Sequence, residues 1–368
     1  MKKQKYYSIR KMYQLYPDAQ YYVVYGQRSN GKTYSPLELC LEEYFLYGYQ
    51  FAYIRRWKDD VRITKMRQLF SGIVRDNLVY KYSKGKWDDI EYNSRAFYLV
   101  KHNEDGTTTV SETPICFIFV LTEEEHDKGF EAPLIQNIFF DEFIARGRYL
   151  PDEFITFSNV LSTIIRDRGG IKIFMSGNTI NRFSPYFKEM GLTNVKNQKA
   201  GTIDVYTYGE SGLKVVVEYA DFPDKKKKSD IYFAFNNPKL QMITRGAWEI
   251  AVYPHLTPDM KYLPKDVKYF YFIVFDDTTL QCDIVKKNNY YFTFVHLKTS
   301  PIKDDNTNLV YTLSPNPKPN YRKNITRPFS NAEKIIIDMF KRDKVFYQNN
   351  EIGDVVRNYM LNCTQPIK

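Results

Sequence analysis

The stretch Tyr21-Tyr22-Val23-Val24-Tyr25-Gly26-Gln27-Arg28-Ser29-Asn30-Gly31-Lys32-Thr33 decides the fold. Its first five residues are aromatic or β-branched, which is typical of a buried strand. The rest matches the pattern GxxxxGK[ST], in which glycines let the backbone curl around phosphate, the lysine reaches the terminal phosphates and the hydroxyl binds Mg²⁺. We therefore predict a phosphate-binding loop (P-loop) made of Gly26, Gln27, Arg28, Ser29, Asn30, Gly31, Lys32 and Thr33.

The helix expected after this loop contains a local conflict. Pro36 follows the Gly-Lys-Thr closely, and proline inside a helix removes a hydrogen bond and clashes with the preceding turn. Ser35-Pro36-Leu37-Glu38, however, has the pattern of a capping box with proline at the first helical position. We therefore predict a first turn over residues 31–34 and a kink or restart at Ser35.

A second apolar segment ends in two carboxylates. Asn137-Ile138-Phe139-Phe140 reads as a buried strand, and Asp141-Glu142 follow directly. In P-loop enzymes a carboxylate at such a strand end contacts Mg²⁺, and a neighbouring group positions or deprotonates the attacking water. We predict that Asp141 helps to hold Mg²⁺, through water, and that Glu142 is the general base.

Strands and helices alternate through the first half of the chain. Further strands are predicted at 50–56, 95–101, 114–121 and 171–175, with helices at 37–46 and 154–166. Alternation of this kind favours a mostly parallel sheet connected by helical crossovers. The predicted fold class is thus α/β, with helices flanking the sheet.

The pattern changes near residue 201. A hairpin is predicted over 201–219, a charge run follows at 224–230, and strands at 267–275, 279–285 and 290–297 form a meander before two helices. We therefore expect three parts: a P-loop domain over 1–200, a linker region over 201–246, and a smaller α+β domain over 247–368.

Charge and composition favour a polyanionic partner. The chain of 368 residues carries 53 basic and 43 acidic residues, a net charge of +10, which attracts nucleic acid or an anionic surface. No apolar run approaches the roughly 20 residues that span a bilayer, so no membrane role is expected. Lys225, Lys226, Lys227 and Lys228 are DNA-contact candidates, although such a run also suits a solvated loop.

Several polar residues could complete a nucleotide site. Ring-forming ATPases place an arginine of one subunit against the γ-phosphate bound by its neighbour, and Asn178, which follows the strand at 171–175, could sense that phosphate. No Asn-Lys-x-Asp motif for reading guanine follows, so ATP is the expected nucleotide. The arginine candidates are Arg146, Arg148, Arg166 and Arg168, and a cation that favours the end of a helix is the alternative role for Arg166 and Arg168.

The order of these motifs resembles one family. GQRSNGKT, QFAYIRR, NIFFDEF, IIRDRGG and IFMSGN occur in this order, and the series is similar to the DNA-packaging ATPases of phi29-like bacteriophages. The resemblance covers roughly residues 15–195 well and weakens beyond 200. It implies an ASCE-type P-loop ATPase domain, a linker or lid, and a C-terminal domain resembling a degenerate RNase H-like nuclease that does not cleave.

The resemblance also implies roles and partners. Glu142, Lys32 and Arg166 would be catalytic, with Arg166 acting in trans, while Arg55, Arg56 and Lys58 would lie near a subunit interface or the nucleotide, or be surface charges. The cofactors would be ATP and Mg²⁺. The partners would be double-stranded DNA, further copies in a homomeric ring that is typically a pentamer, the procapsid portal or connector, and, as a further candidate, a packaging RNA. The protein would act in the host cytoplasm, transiently at the portal.

Two other function classes stay open from the sequence. One is a different P-loop ATPase acting on nucleic acid, of helicase or partition type, although the further motifs of helicases are not evident. The other is a structural protein that keeps the nucleotide site as a relic. Strand separation would favour the helicase, and normal activity after loss of Lys32 and Glu142 would favour the relic.

Overall fold

The computed structural model describes residues 6–28, 31–220, 251–304 and 306–364. The chain divides into two compact units, Met1–Glu249 and Ile250–Lys368. Ser29 and Asn30 of the P-loop lie outside the described residues, as do residues 221–250. The predicted DNA contacts Lys225–Lys228 therefore lie outside them too, together with most of the predicted linker.

Strands and helices alternate in the first unit as predicted. Its strands are β1 (Tyr21–Gly26), β2 (Gln50–Arg55), β3 (Asp89–Asn93), β4 (Ala96–His102), β5 (Thr108–Val110), β6 (Cys116–Val120), β7 (Ile135–Asp141), β8 (Lys172–Asn178), β9 (Ile203–Tyr208) and β10 (Leu213–Ala220). Its α-helices are α1 (Arg10–Leu15), α2 (Tyr34–Tyr47), α3 (Ile63–Met66), α4 (Ser71–Arg75), α5 (Leu78–Tyr82), α6 (Glu153–Ile165) and α7 (Pro185–Glu189).

These ten strands form one sheet in the order β3-β4-β6-β2-β7-β8-β1-β10-β9, with β5 paired to β4. Six neighbouring strands of this sheet, β6, β2, β7, β8, β1 and β10, are parallel to each other. Antiparallel strands lie at both edges of the sheet. Strand β8 lies between β1 and β7. The predicted α/β class with a mostly parallel sheet is confirmed.

The hairpin at 201–220 belongs to this sheet. Strand β10 pairs in parallel with the P-loop strand β1 over its last six residues, from the pair Tyr21–Val215 to the pair Gly26–Ala220. The expectation that a linker or lid begins at residue 201 is therefore wrong for residues 201–220. The local sequence shows a hairpin but not its partner, because β1 lies almost two hundred positions earlier in the chain.

Helix α2 is continuous, and the predicted restart at Ser35 is wrong. Pro36 is the third residue of the helix, in the first turn, where proline is tolerated. The predicted turn before it is present, since the Ser35 N–H donates to the Gly31 carbonyl oxygen at 2.9 Å. The Ser35 hydroxyl accepts a hydrogen bond from the backbone N–H of Ile9 at 2.9 Å instead of capping α2. The P-loop is therefore followed by a single helix of 14 residues.

Both faces of the sheet are covered by apolar layers. One layer packs α6 and α7 against the sheet through residues such as Phe140, Phe157 and Tyr186. The other packs α1, α2 and the short helices α3–α5 through residues such as Tyr53 and Phe70. Buried aromatic rings are common in both layers, so core packing accounts for many of the chain's tyrosines and phenylalanines.

The second unit is a smaller α+β structure. Its strands are β11 (Val267–Phe275), β12 (Thr278–Lys287), β13 (Tyr290–Leu297), β14 (Val310–Thr312), β15 (Tyr321–Arg322) and β16 (Val345–Tyr347), and its α-helices are α8 (Asn331–Lys341) and α9 (Asn350–Cys363). The predicted meander is the antiparallel series β11-β12-β13.

Parallel strands extend this meander on both sides, in the order β15-β14-β11-β12-β13-β16, and α9 packs against β11, β13 and β16. A mixed sheet with helices on it agrees with the α+β class predicted for this part of the chain. Within the described residues, no helix combines the length and apolarity needed to cross a bilayer.

Candidate nucleotide site

The candidate site lies at one edge of the parallel sheet. Strands β1, β2, β7 and β8 run in the same direction, so their carboxyl ends meet at this edge, where ligands of open α/β sheets bind. A cavity of about 1310 Å³ opens there. The described P-loop residues Arg28, Gly31, Lys32 and Thr33 line it together with Asp141, Glu142 and Asn178.

The P-loop folds back around its own lysine. Gly31 has a φ of +95°, a left-handed conformation that suits glycine. The buried Lys32 Nζ donates to the carbonyl oxygens of Gly26, at 3.2 Å, and Gln27. It also donates to Asn178 Oδ1 at 3.2 Å. The lysine and the predicted sensor are thus brought together as expected.

Burial makes the positive charge of the Lys32 ammonium costly. Burial, opposed by the nearby Asp141 carboxylate and reinforced by Arg28, lowers the pKa of Lys32 to about 7. A buried cation of this kind gains most from an added anion. Triphosphate oxygens would supply that charge, so the electrostatics of the loop suit an anionic ligand.

Thr33 and Asp141 form an oxygen-donor pair suited to Mg²⁺. The Thr33 hydroxyl lies 3.2 Å from each oxygen of the Asp141 carboxylate. Mg²⁺ is commonly held by one or two protein oxygens, waters and substrate phosphates rather than by a complete protein cage. Among the described residues there is no group of three or more acidic, His or Cys side chains that could hold a metal alone. The residues present therefore fit a magnesium ion shared with a nucleotide.

Asp141 is buried and surrounded by donors. The hydroxyl of Tyr53 donates to it at 3.1 Å, the hydroxyl of Ser176 also donates to it, and Arg55 Nη1 lies 3.4 Å from the same carboxylate. Burial raises the pKa of Asp141 above its ordinary value, while Arg55 and Ser176 oppose that rise. The three donors therefore hold a carboxylate that would otherwise be costly to ionise.

Glu142 stands at the exposed rim of the site. Its φ is +58°, an uncommon conformation for a residue other than glycine, and its side chain is 55% exposed. The carboxylate pairs with Arg55 Nη2 at 2.6 Å. Arg55 thus bridges Asp141, the predicted Mg²⁺-binding carboxylate, and Glu142, the predicted general base. It lies at the nucleotide site, one of the locations that the resemblance implied.

Arg56 holds the backbone that carries Glu142. Its guanidinium is buried and donates to the carbonyl oxygens of Glu142, at 3.1 Å, and Phe143, at 2.6 Å. It also pairs with the fully buried Glu153 carboxylate at 2.9 Å. The surface-charge interpretation is therefore wrong for Arg56. It fits Lys58, whose side chain is 73% exposed and pairs with Glu123.

Arg166 lies at the opposite edge of the sheet from the P-loop. It pairs with Glu131 at 2.9 Å and donates to the Phe130 carbonyl oxygen at 2.9 Å, just before β7 begins. The seven residues of β7 span about 20 Å between that edge and Asp141. Arg166, which is 46% exposed, therefore does not meet the site of its own chain.

The other arginine candidates have different surroundings. Arg168 donates to the carbonyl oxygens of Pro133 and Ile135, each at 2.6 Å, and to that of Ile165 at 3.2 Å, so it fastens the end of α6 to the start of β7. Arg146 and Arg148 are exposed and line the cavity of their own chain. The sequence alone did not show that Arg168 binds backbone carbonyl groups whereas Arg146 and Arg148 line the cavity.

Two residues that contact Asp141 were missed by the sequence interpretation. Tyr53 and Ser176 lie inside apolar strands, β2 and β8, that flank β7. Their strands were predicted, but the register that turns both hydroxyls toward Asp141 has no local signal. Tyr6 and Tyr7, which line the cavity, were missed because no motif includes them.

The fold and this arrangement of side chains define a P-loop NTPase. The chain belongs to the Podovirus DNA encapsidation protein (Gp16) family, whose sequence profile matches residues 1–362. Over 209 residues it is 23% identical to the DNA packaging proteins of the Bacillus phages phi29 and PZA. That alignment covers 56% of this chain, and the chain spans about half, 55%, of the length of those curated relatives.

Solved structures share the fold over nearly the whole chain. The bacteriophage phi29 viral genome packaging motor assembly contains a chain 20% identical to this one, with a TM-score of 0.57 and coverage of 96% of this chain and 97% of that one. A chain of the Phi-28 gp11 DNA packaging motor is 17% identical to this one, with a TM-score of 0.53. That match covers 98% of this chain and 99% of the other. The resemblance inferred from the motif order is thus confirmed.

Proposed function

We propose that this protein is an ATP-driven translocase that packages double-stranded viral DNA into a procapsid. The observation that carries the proposal is the convergence of Lys32, Thr33, Asp141 and Glu142 at one sheet edge, in a chain of the DNA encapsidation family. The basic balance of the whole chain, +10, suits a partner held through its phosphates. A motor must move over any sequence, so phosphate contacts should dominate over base contacts.

Each residue of the site has a distinct part in hydrolysis. Lys32 binds the terminal phosphates, and Glu142 orients and deprotonates the attacking water. Thr33 and Asp141 would hold Mg²⁺, which when bound neutralises charge developing on the transferred phosphoryl group. Gly26–Thr33 and Asn178 would surround the triphosphate, with Asn178 fixing Lys32 through the contact at 3.2 Å.

The direct test is hydrolysis of ATP with and without double-stranded DNA, followed by packaging into purified procapsids. The unmodified protein should hydrolyse ATP faster with DNA, and Lys32→Ala and Glu142→Gln should abolish both activities. Normal packaging by both variants would overturn the proposal and favour the relic. Strand separation without packaging would favour a helicase.

The homomeric ring, expected to be a pentamer, is part of this proposal. Its support is the placement of Arg166, about 20 Å from Asp141 across the sheet and partly exposed, because the catalytic arginine that the resemblance implies would then have to act on the site of a neighbouring copy. A mass measurement of the assembly on procapsids would give the number of copies. The portal or connector, and a packaging RNA as a further candidate, would hold the ring, and the protein would act in the host cytoplasm.

We expect no nuclease activity from the second unit. Asp283, a buried carboxylate of its sheet, already accepts from Tyr262 at 2.8 Å and Gln281 at 2.8 Å and lies 3.3 Å from His296. Its oxygens are thus engaged by side chains, which does not suit a two-metal centre. Metal-dependent cleavage of DNA by the purified protein would contradict this expectation.

A further inference from the structure

The backbone that carries Glu142 is held at each of its polar groups. The Glu142 N–H donates to Asp141 Oδ1 at 3.1 Å, and the N–H of the next residue, Phe143, donates to the Ser176 carbonyl oxygen at 3.1 Å. The carbonyl oxygens of both residues accept from the Arg56 guanidinium, at 3.1 and 2.6 Å. The φ of +58° at Glu142 is uncommon outside glycine, and such a conformation persists where the surrounding structure over-determines it.

The Arg56 guanidinium is itself fixed in one orientation. Its Nε lies 2.9 Å from each oxygen of the Glu153 carboxylate, while its two terminal nitrogens are bound to the carbonyl oxygens of Glu142 and Phe143. The ring of Tyr149 lies under the guanidinium, with 5.1 Å between its centroid and Cζ. Because the guanidinium is planar and rigid, the position of the Glu153 carboxylate sets the position of the two N–H groups that hold the backbone of Glu142.

The Glu153 carboxylate is held in turn by Tyr186 of α7. The buried Tyr186 hydroxyl donates to Glu153 Oε1 at 2.7 Å, and the backbone N–H of Leu150 donates to Oε2 at 2.7 Å. The Tyr186 ring also packs edge-on against the ring of Phe143, with 5.7 Å between the centroids. A buried series of contacts thus runs from the Tyr186 hydroxyl through Glu153 and Arg56 to the backbone of the predicted general base. Neither Tyr186 nor Glu153 lines the nucleotide cavity.

Stability alone does not account for this series of contacts. The Arg56 side chain is 5% exposed and the Glu153 side chain 0%, and a buried ion pair can often be replaced by well-packed apolar residues without loss of stability. Apolar side chains could fill the same space, but they could not donate to the carbonyl oxygens on either side of the peptide that follows Glu142. The polar groups are therefore best explained by the backbone conformation that they hold.

We propose that Arg56, Glu153 and Tyr186 are positioning residues for the general base of ATP hydrolysis. The inference rests on the proposed function, in which Glu142 deprotonates the attacking water. Without the Tyr186 hydroxyl the Glu153 carboxylate can turn, the guanidinium of Arg56 follows it, and the backbone of Glu142 can relax toward an ordinary φ. A displacement of about 1 Å at a reacting group can cost about 10²-fold in rate. Lys32 and Thr33 belong to the P-loop rather than to this segment, so nucleotide affinity should persist.

The test uses the full chain, with steady-state ATP hydrolysis in the presence of double-stranded DNA and calorimetry of ADP binding. Tyr186→Phe removes only the hydroxyl and should lower kcat by about 10-fold or more, while KM and the affinity for ADP stay within about twofold. Tyr13→Phe is the matched control, because the Tyr13 hydroxyl also donates to a buried glutamate, Glu43, at 2.8 Å. This control should change neither kcat nor the affinity for ADP.

A double variant distinguishes positioning from a merely structural role. If Tyr186 acts through the general base, Tyr186→Phe should lower the residual hydrolysis of Glu142→Gln by less than twofold, since residues that act as a unit are not additive. The same 10-fold loss in both backgrounds would overturn the inference, as would an unchanged kcat in Tyr186→Phe or an equal loss of ADP affinity.

Arg56→Lys keeps the charge but not the planar fork, so it should lower kcat by about 10²-fold. A normal kcat in folded Arg56→Lys would also overturn the inference, and Tyr186→Phe alone decides the matter if Arg56→Lys does not fold. Normal hydrolysis by Glu142→Gln would instead count against the proposed role of Glu142, and absence of hydrolysis by the unmodified protein would count against the proposed function itself.

Discussion

Arg55 Nη2 lies 2.6 Å from Glu142 Oε2, while Nη1 of the same guanidinium lies 3.4 Å from Asp141. One side chain thus links the carboxylate proposed to bind Mg²⁺ with the carboxylate proposed to activate water. The two partners differ in exposure, since the Asp141 side chain is 5% exposed and the Glu142 side chain 55%. The consequences of removing each group should therefore differ.

Glu142→Gln should separate hydrolysis from binding. The amide keeps an oxygen that accepts from Arg55 but cannot take a proton from water, so the hydrolysis rate should fall by about 10²–10⁴-fold while nucleotide affinity stays within about twofold. Steady-state hydrolysis and calorimetry of ADP binding would test this. A variant that hydrolyses ATP at more than a tenth of the normal rate would show that another group is the base.

Arg55→Gln should destabilise the first unit. Removing the cation leaves the buried Asp141 without its ion pair, which costs about 3–5 kcal/mol when one partner of a buried pair is lost. Asp141→Asn in the same chain should recover a large part of that loss, because no buried charge then remains. Urea unfolding of the two single variants and the double variant gives the coupling, and strictly additive losses would contradict the bridging role of Arg55.

Arg166→Ala and Lys32→Ala subunits should partly restore each other's hydrolysis when mixed. Interfaces where an intact P-loop meets an intact Arg166 would regain activity, so hydrolysis should pass through a maximum as the mixing ratio varies. Arg168→Ala is the comparison variant. It loses contacts to backbone carbonyls that fasten α6, so it should lower the melting temperature more than Arg166→Ala does. Absence of a maximum at any ratio would argue against action in trans.

Gly177→Ala should disturb the segment after Glu142. A Cβ at Gly177 would lie 2.8 Å from Ile144 Cδ1 and 3.0 Å from Phe143 Cε1, and overpacking of this kind costs about 1–3 kcal/mol. Since Phe143 and Ile144 follow the general base, hydrolysis should fall more than nucleotide affinity. Ile144→Val removes Cδ1, one of the two Ile144 atoms that would lie 2.8 Å from the added Cβ, so the double variant should recover part of the lost stability. Denaturant unfolding would measure the stability of the single and double variants. If the double variant recovers no stability, contact with Ile144 is not the cause of the loss.

The Asp283–His296 pair should make the second unit more stable at mildly acidic pH. The hydrogen bond to Asp283 raises the pKa of His296, so its contribution is complete below the unfolded value near 6.5 and is lost as pH rises through the folded value. Burial acts to raise the pKa of Asp283, but its hydrogen bonds, first that from His296, lower it overall. The Asp283 contribution is therefore present above its ordinary value of 3.8 and is lost as pH falls through the lowered one.

His296→Gln should accordingly reduce the melting temperature at pH 5.5 more than at pH 8.5, as measured by calorimetry. The pKa of His102 is also raised, by Asp88. His102 is present in the unmodified protein and in the His296→Gln variant, so its effect on the melting temperature cancels when the two are compared. Equal losses at the two pH values would show that the pair contributes no pH dependence.

Much of the site could be predicted because its residues stand next to each other in the chain. The spacing of Lys32 and Thr33 and the Asp141-Glu142 pair after an apolar strand follow from local chemistry. Tyr53 and Ser176 could not be found in the same way, since only the pairing of β2 and β8 with β7 turns their hydroxyls toward Asp141. Arg55 was noticed as a charge at the end of a strand, but its bridging position depends on the same register.

The limits of the fold prediction have the same physical origin. Turn and hydrophobic patterns indicated the hairpin at 201–220, whereas its place beside β1 depends on a contact between distant parts of the chain. Pro36 suggested a kink, yet it occupies the first turn of α2, where proline is tolerated. Local patterns thus predicted which residues form helices and strands better than they predicted which strands pair with each other.

The pairing of β10 with β1 also has a mechanical consequence. Gly26, the first residue of the P-loop, is in register with Ala220, the last residue of β10, and a Cβ on Gly26 would lie only 2.8 Å from the Ala220 carbonyl oxygen. The two backbones are in such close contact that a displacement of the loop as it grips or releases phosphate must push on Ala220. Ala220 is therefore the point at which the state of the nucleotide acts on β10, the strand next to the P-loop strand in the sheet.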